Sequence, residues 1–206
     1  MSVNKPSEYK EGRKNLIFAT LISIPGPLLL AIGLNDGSSA TGVADLIRRS
    51  CEFLTIFLAW LVYELTAGRG LANNARKTRL EGFVKYFTGL SMCLSGAVMI
   101  YVAVANFGGE KGSVLTSLIL AVIGAVINAK LYFNYRTMEN AVLSVQAKLH
   151  RVKMLLDCFM SLLLLMWMLL PIEGFRSYAD VIGSILISVY LIWSGIRVLK
   201  DKKVTQ

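Results

Sequence analysis

Six long apolar runs dominate the chain, and short polar segments separate them. Each run is close to the length of about 20 apolar residues that a helix needs to cross a membrane. Pro25 and Pro27 fall inside the first run, where we expect them to kink its helix. The pattern therefore predicts an all-α bundle of six transmembrane helices. The predicted helices cover about residues 15–34, 40–66, 81–107, 113–135, 143–170 and 178–199.

The composition agrees with an integral membrane protein. Hydrophobic residues make up 55% of the 206 residues and charged residues 17%, whereas soluble domains contain about 45–50% apolar and about 25% charged residues. No polar segment at either end is long enough for a soluble domain. We therefore expect one transmembrane domain over residues 1–206, with the lipid bilayer as its partner and no soluble domain after the sixth helix.

Lysine and arginine are distributed unevenly among the polar segments. They cluster in the N-terminal tail, between helices 2 and 3, between helices 4 and 5, and at the C-terminal end. The segments on the opposite side of the predicted membrane contain only Lys111 and Arg176. Cytoplasmic segments carry the excess of these residues. The sequence thus predicts a multi-pass protein of the cytoplasmic (inner) cell membrane, with both termini and the tail 1–14 in the cytoplasm. Because the net charge of +9 is divided among such short clusters, we expect no nucleic-acid partner.

The inventory of reactive residues does not support an enzyme. The chain has one histidine, no paired nucleophile and base, and no glycine-rich phosphate loop. Cys51, Cys93 and Cys158 lie in apolar runs without the spacing of a zinc site or a disulfide framework. We expect no cofactor, although a divalent cation as transported substrate fits a membrane protein.

Ionisable residues are concentrated at the start of the second predicted helix. A charge at the centre of a bilayer costs roughly 3 kcal/mol on insertion scales, so these residues need partners, a wet cavity or a place at the membrane rim. Asp45, Arg48 and Glu52 follow the spacing i, i+3, i+7 and therefore share one helix face. Arg49 adds a fourth charge next to this face.

The fifth predicted helix carries a matching pair, Lys153 and Asp157. In one interpretation, Arg48 and Arg49 extend to the outer rim while Lys153 anchors its helix inside. In the other, Arg48 pairs with Glu52 and Lys153 with Asp157 at i, i+4, or the pairs form across the two helices. We favour the second interpretation, because arginine on the outer side opposes the charge bias of the remaining chain.

Small residues mark packing faces on the third and sixth predicted helices. They include two small-x-x-x-small pairs, which let helix backbones approach closely in membranes. These two helices can pack on each other or form a homodimer, and the sequence leaves both alternatives open. The residues of these faces are Gly89, Ser91, Ser95, Ser184 and Ser188.

Four segments, in order, resemble the transmembrane domain of the cation diffusion facilitator (cation efflux) family. Gly37-Ser38-Ser39-Ala40, leading to Ala44-Asp45, resembles that family's entry to helix 2. Arg79-Leu80-Glu81-Gly82 resembles the start of its helix 3, and Asn128 is similar to a polar position of its helix 4. The stretch from Asp180 through Gly183 to Lys200 resembles its helix 6. The resemblance implies six helices with both ends inside and an exchange of divalent metal for protons.

The resemblance also implies where a metal would bind, and there the residues depart from the family pattern. Its members place two ligands at i, i+4 on helix 2 and two on helix 5. These positions correspond here to Arg48 and Glu52, and to Leu149 and Lys153. Only Glu52 is a plausible ligand, because arginine keeps its proton at every relevant pH. The metal site implied by the resemblance is therefore degenerate.

A shift of one residue on the fifth helix gives another set of candidate metal ligands. His150, Met154 and Asp157 share one face at i, i+4, i+7, and they would suit a transition metal. The alternative is that His150 belongs to the basic cluster that anchors this helix at the cytoplasmic end. Candidate metal-contacting residues are thus His150, Asp157 and Glu52.

Two functions follow from this pattern. The first is a cation-efflux-like transporter that moves a divalent metal or a proton-coupled cation through a cavity between helices 2 and 5. The second is a relative without transport activity that serves as a structural or partner subunit. In the second, an ion-pair network replaces the metal site. The residues of the predicted cavity are Asp45, Arg48, Glu52, Lys153 and Asp157.

Overall fold

A computed structural model of the chain describes residues 6–33, 40–68, 74–105, 114–169 and 173–201. Nearly all of these residues are helical, and none of them lies in a strand. This confirms the predicted all-α bundle, while the side of the membrane on which the termini lie stays a prediction. The helices are α1 (Pro6–Ser23), α2 (Pro25–Gly33), α3 (Ala40–Tyr63), α4 (Asn74–Ala105), α5 (Val114–Arg136), α6 (Ala141–Leu169) and α7 (Glu173–Lys200).

The first predicted helix is in fact two helices, α1 and α2, which meet at Ile24. Pro25 and Pro27 lack the amide hydrogens that would continue the hydrogen bonds of α1, so the expected kink is a complete break. α1 also begins at Pro6 rather than near residue 15. The prediction missed this start because the first turns of α1 are too polar to resemble a membrane span. The helix begins at Pro6 because proline suits the first position of a helix.

Three other helices, α4, α6 and α7, begin earlier than predicted, and α7 does so at Glu173 rather than near residue 178. α4 starts at Asn74 rather than at Glu81, because the basic stretch that we assigned to a loop continues the helix before its apolar part. α6 starts at Ala141, where the Asn140 side-chain oxygen accepts hydrogen bonds from the amides of Val142 and Leu143 at 2.9 and 3.4 Å. Such a cap satisfies amides that have no partner within the first helical turn.

Three helical stretches among the described residues are long and apolar enough to cross a membrane. They are Leu46–Ala67, Asn74–Ala105 and Ile182–Lys200. The first one continues α3 through a π-helical turn, Glu64–Gly68. The other predicted spans rest on the pattern of the sequence.

The bundle is built from two helix pairs, α4 with α7 and α5 with α6, and α3 packs against both α4 and α6. α1 and α2 lie along α3. Near the start of the chain, Tyr9 stacks on Tyr63 with ring centroids 5.8 Å apart, and Arg13 pairs with Glu64 at 3.1 Å. At the opposite end of the chain, Lys148 of α6 pairs with Asp201. The α6 side chains that face α3 and α5 can therefore form a site inside the bundle.

Small residues bring α4 and α7 into close contact. A Cβ atom on Gly96 would lie 2.8 Å from the Ser188 backbone oxygen, and one on Gly195 would lie 2.7 Å from the Gly89 backbone oxygen. Ser95 and Ser188 are buried in the same region. The sequence left open whether these faces pack on each other or form a homodimer. In the structure, the two helices pack on each other within one chain.

Candidate functional site

Glu52 joins α3 to α6 through two ion pairs. Its Oε1 atom lies 3.2 Å from Nη1 of Arg48, one turn earlier on α3, and its Oε2 atom lies 2.9 Å from Nζ of Lys153 on α6. The exposed fractions of the Arg48, Glu52 and Lys153 side chains are 24%, 20% and 20%. Each carboxylate oxygen thus faces a different cation in a largely enclosed place.

Asp157 lies against α5 rather than against α3. Its Oδ2 atom accepts a hydrogen bond of 2.8 Å from Nδ2 of Asn128. One turn earlier on α5, a Cβ atom on Gly124 would lie 2.8 Å from the same Oδ2 atom. Gly124 therefore leaves the space in which the carboxylate approaches α5, and Asn128 holds it there.

His150 is connected to Asp157 through Asn128. Its Nδ1 atom lies 2.8 Å from Oδ1 of Asn128, and the side chain is 2% exposed. The Asn128 amide nitrogen donates to Asp157, so its carbonyl oxygen is the atom that faces the imidazole. A carbonyl accepts only, and Nδ1 of His150 must therefore carry the proton.

Four polar residues of α6 form a stripe along the helix, which we call the α6 stripe. It consists of Gln146, His150, Lys153 and Asp157, at i, i+4, i+7 and i+11. This spacing keeps the four side chains on one face. Lys153 meets Glu52 of α3, while His150 and Asp157 meet Asn128 of α5. The α6 stripe therefore contacts both α3 and α5.

Two further charged residues lie at the start of α3: Arg49, next to the predicted cavity, and Asp45, which was predicted to belong to it. The Arg49 side chain lies beside α2. A Cβ atom added to Gly26 would be 3.4 Å from the Arg49 Cδ atom and 3.5 Å from its Nη1 atom. Asp45 belongs to α3 by its backbone, but its side chain lies outside the part of the structure that is described. That Asp45 belongs to the cavity therefore stays a prediction.

The charges at this place do not suit a divalent metal. Among the side chains that the structure describes, no three His, Cys, Asp or Glu residues are close enough together to hold a metal ion. Of the four positions that the resemblance equates with ligands, Leu149 is buried and apolar, and Arg48 and Lys153 are cations on either side of Glu52. A divalent ion would have to compete with both of these cations for one carboxylate.

The structure also describes the surroundings of the alternative ligand set, His150, Met154 and Asp157. His150 and Asp157 do not face a shared centre, because the side chain of Asn128 lies between them and bonds to both. Met154 is half-buried. The three residues share a helix face without forming a common coordination site.

Several residues of the site were not assigned a role from the sequence. Gly124 precedes Asn128 by one turn, which is a signal that a neighbour on α6 approaches closely there. Gln146 continues the α6 stripe by one turn, and its periodicity with His150 was visible in the sequence. The bridging position of Asn128 depends on how α5 and α6 pack, which periodicity alone does not predict.

The comparison with protein families identifies the chain. The model of the cation efflux transmembrane domain matches residues 38–204, which begin just before α3 and include every residue of the charged site. No protein of curated function matches the chain in sequence. The family match confirms the resemblance to the cation diffusion facilitators and the multi-pass membrane character. This chain belongs to the cation efflux family of membrane cation transporters.

Proposed function

We propose that this protein moves a cation in exchange for a proton at the interface of α3 and α6, in the cytoplasmic (inner) membrane of the cell. The observation that carries the proposal is the position of Lys153, whose ammonium group lies 2.9 Å from Glu52. In this proposal Lys153 occupies the place of the transported cation in the resting state. The family match supports cation transport in general.

The formal charges of the site favour a monovalent substrate. Glu52 and Asp157 contribute two negative charges, and Arg48 and Lys153 contribute two positive charges. If Lys153 gives up its proton as a monovalent cation binds Glu52, the total charge stays the same. A divalent ion would add one positive charge in a place where charge is poorly solvated.

Lysine suits this exchange better than arginine does. The lysine ammonium loses its proton when its surroundings disfavour the charge, whereas the guanidinium of arginine does not. In this proposal Lys153 is therefore the cation that gives up its place, and Arg48 orients Glu52 from the same helix. Asp157, held by Asn128, provides a second carboxylate one turn further along α6.

Transport by purified protein in liposomes tests this proposal. A pH-sensitive dye inside the vesicles reports proton movement after addition of Li⁺, Na⁺ or K⁺, and of Zn²⁺, Cd²⁺, Mn²⁺ or Fe²⁺. We expect proton movement with at least one monovalent ion, its loss in Glu52→Gln and in Lys153→Met, and its retention in the matched control Glu11→Gln, whose side chain is exposed.

Two results would contradict the proposal. One is movement of a divalent ion that requires Glu52, since this would show that a metal displaces both cations. The other is the absence of any protein-dependent flux with all seven ions, which would favour the second candidate function.

The second candidate is a protein without transport activity that acts as a structural or partner subunit. Arg48 supports it, because this cation cannot leave Glu52 by deprotonation and lies 3.2 Å from it. In that case affinity purification from mild detergent should recover a membrane partner in fixed stoichiometry. A protein purified alone, with active flux, would rule this candidate out.

A further inference from the structure

Three buried polar side chains near the start of α6 have atoms without a hydrogen-bond partner among the described residues. They are the Tyr135 hydroxyl, both side-chain polar atoms of Gln146, and Nε2 of His150. These residues are 0%, 0% and 2% exposed. Buried polar groups nearly always have a hydrogen-bond partner. Four such atoms in one region therefore indicate a bound species that bonds to them.

Two of the three side chains are neighbours in space, and the third lies one helical turn away on α6. The rings of Tyr135 and His150 have centroids 5.6 Å apart. Gln146 precedes His150 by one turn on the same face of α6. Tyr135 belongs to α5, which packs along α6, so the groups meet from two helices.

The chemistry of His150 indicates what the bound species must offer. Because Nδ1 donates to Asn128, the other ring nitrogen of the neutral imidazole is an acceptor. Nε2 therefore needs a donor. Gln146 presents both an acceptor and a donor, and the Tyr135 hydroxyl can do either. A molecule that both donates and accepts satisfies all of these atoms.

We propose that Tyr135, Gln146 and His150 form an internal binding site for water, separate from the charged site around Glu52. A buried water typically makes about three hydrogen bonds to such groups. Its donation to Nε2 of His150 extends the chain of hydrogen bonds that runs through Asn128 to Asp157. This chain and the proposed water do not depend on which ion the protein moves.

Water fits this site better than a metal ion does. The site contains one imidazole, one amide and one phenol, without the carboxylates or thiolates that transition metals combine with histidine. Lys153 follows His150 by three residues on the same face, and its charge opposes a cation nearby. A bound metal is therefore the alternative that the experiment must distinguish.

Nuclear magnetic resonance of the protein labelled with ¹⁵N-histidine tests the proposal, because His150 is the single histidine of the chain. In detergent micelles or nanodiscs, we expect one imidazole signal set with the proton on Nδ1 and an acceptor at Nε2. We also expect transfer of magnetisation from water to the ring protons of His150. A proton on Nε2, or no transfer from water, would overturn the proposal.

Two variants distinguish the contribution of the water from that of the neighbouring side chains. Gln146→Leu combined with Tyr135→Phe removes the other partners of the water and should abolish the transfer, while the Nδ1 proton stays in place. Asn128→Leu should instead allow both tautomers to form. Added Zn²⁺ should leave the wild-type signals unchanged, and a shift of Nε2 on its addition would identify a metal site and overturn the proposal. The wild-type spectrum decides the matter even where a variant does not fold.

Discussion

Glu52 connects two helices and two cations within a few ångströms. Its oxygens lie 3.2 Å from Arg48 and 2.9 Å from Lys153, so its removal affects both pairs at once. A cation left without its partner in a poorly solvated place is the main cost of breaking such a pair. Substitution of a single residue of this site should therefore strongly reduce the stability of the protein.

Glu52→Gln should destabilise the protein in detergent. Breaking a fully buried pair costs about 3–5 kcal/mol, and we expect about 3 kcal/mol here because the three side chains are 20–24% exposed. Thermal unfolding of the purified variant measures the loss, with Glu11→Gln as the control. Equal melting of Glu52→Gln and the wild type would show that these ion pairs do not hold α3 to α6.

Gly124→Ala should impair function more than stability. The new Cβ atom would lie 2.8 Å from Oδ2 of Asp157, and the carboxylate would have to leave Asn128. Flux in liposomes should fall to the level of Asp157→Asn, whereas the melting temperature should change little because only a short side chain has to move. Val126→Ala, on the exposed side of α5, is the control. Normal flux in Gly124→Ala would mean that the position of Asp157 is unimportant.

At the scale of helices, close approach and polar contact occur at different interfaces. α4 and α7 meet through small residues at Gly89, Gly96 and Gly195, while α6 meets α3 and α5 through charged and polar side chains. The first interface leaves no room for displacement of the backbones. We therefore expect any movement during transport to occur at the second.

Gly96→Ala tests the rigidity of the α4–α7 interface. Its Cβ atom would lie 2.7 Å from Cγ1 of Ile192 and 2.8 Å from the Ser188 backbone oxygen, and the helices would have to separate. Overpacking of this kind costs about 1–3 kcal/mol, which thermal unfolding should detect. Ala97→Leu, at an exposed neighbouring position, should melt like the wild type. A neutral Gly96→Ala would show that the two helices are loosely packed.

The helix type and the shared face of Lys153 and Asp157 followed from the periodicity of the sequence, but the neighbours of each side chain did not. The spacing of Lys153 and Asp157 places both on one face, yet it does not indicate that Lys153 contacts α3 and Asp157 contacts α5. That outcome depends on Gly124 and on the amide of Asn128. The early start of α1 at Pro6 was missed for another reason, since a polar helix outside the bilayer lacks an apolar signal.

At the scale of the whole molecule, the charged residues lie within residues 38–204, which match the cation efflux transmembrane domain. The distribution of lysine and arginine predicts both termini in the cytoplasm. A fluorescent protein fused after Gln206 should therefore fluoresce in cells, and an epitope tag inserted after Gly109 should be accessible from outside. An accessible C-terminus with a protected tag at residue 109 would reverse this orientation.

Equilibrium binding of Zn²⁺ and Cd²⁺, measured by titration calorimetry, tests most directly whether Lys153 stands in the place of a mobile cation. We expect the wild type to show no binding that depends on Glu52, and Lys153→Asp to gain binding because it replaces the competing cation by a carboxylate. Stoichiometric binding by the wild type that Glu52→Gln abolishes would contradict this account, because the ammonium of Lys153 would then yield to a divalent metal.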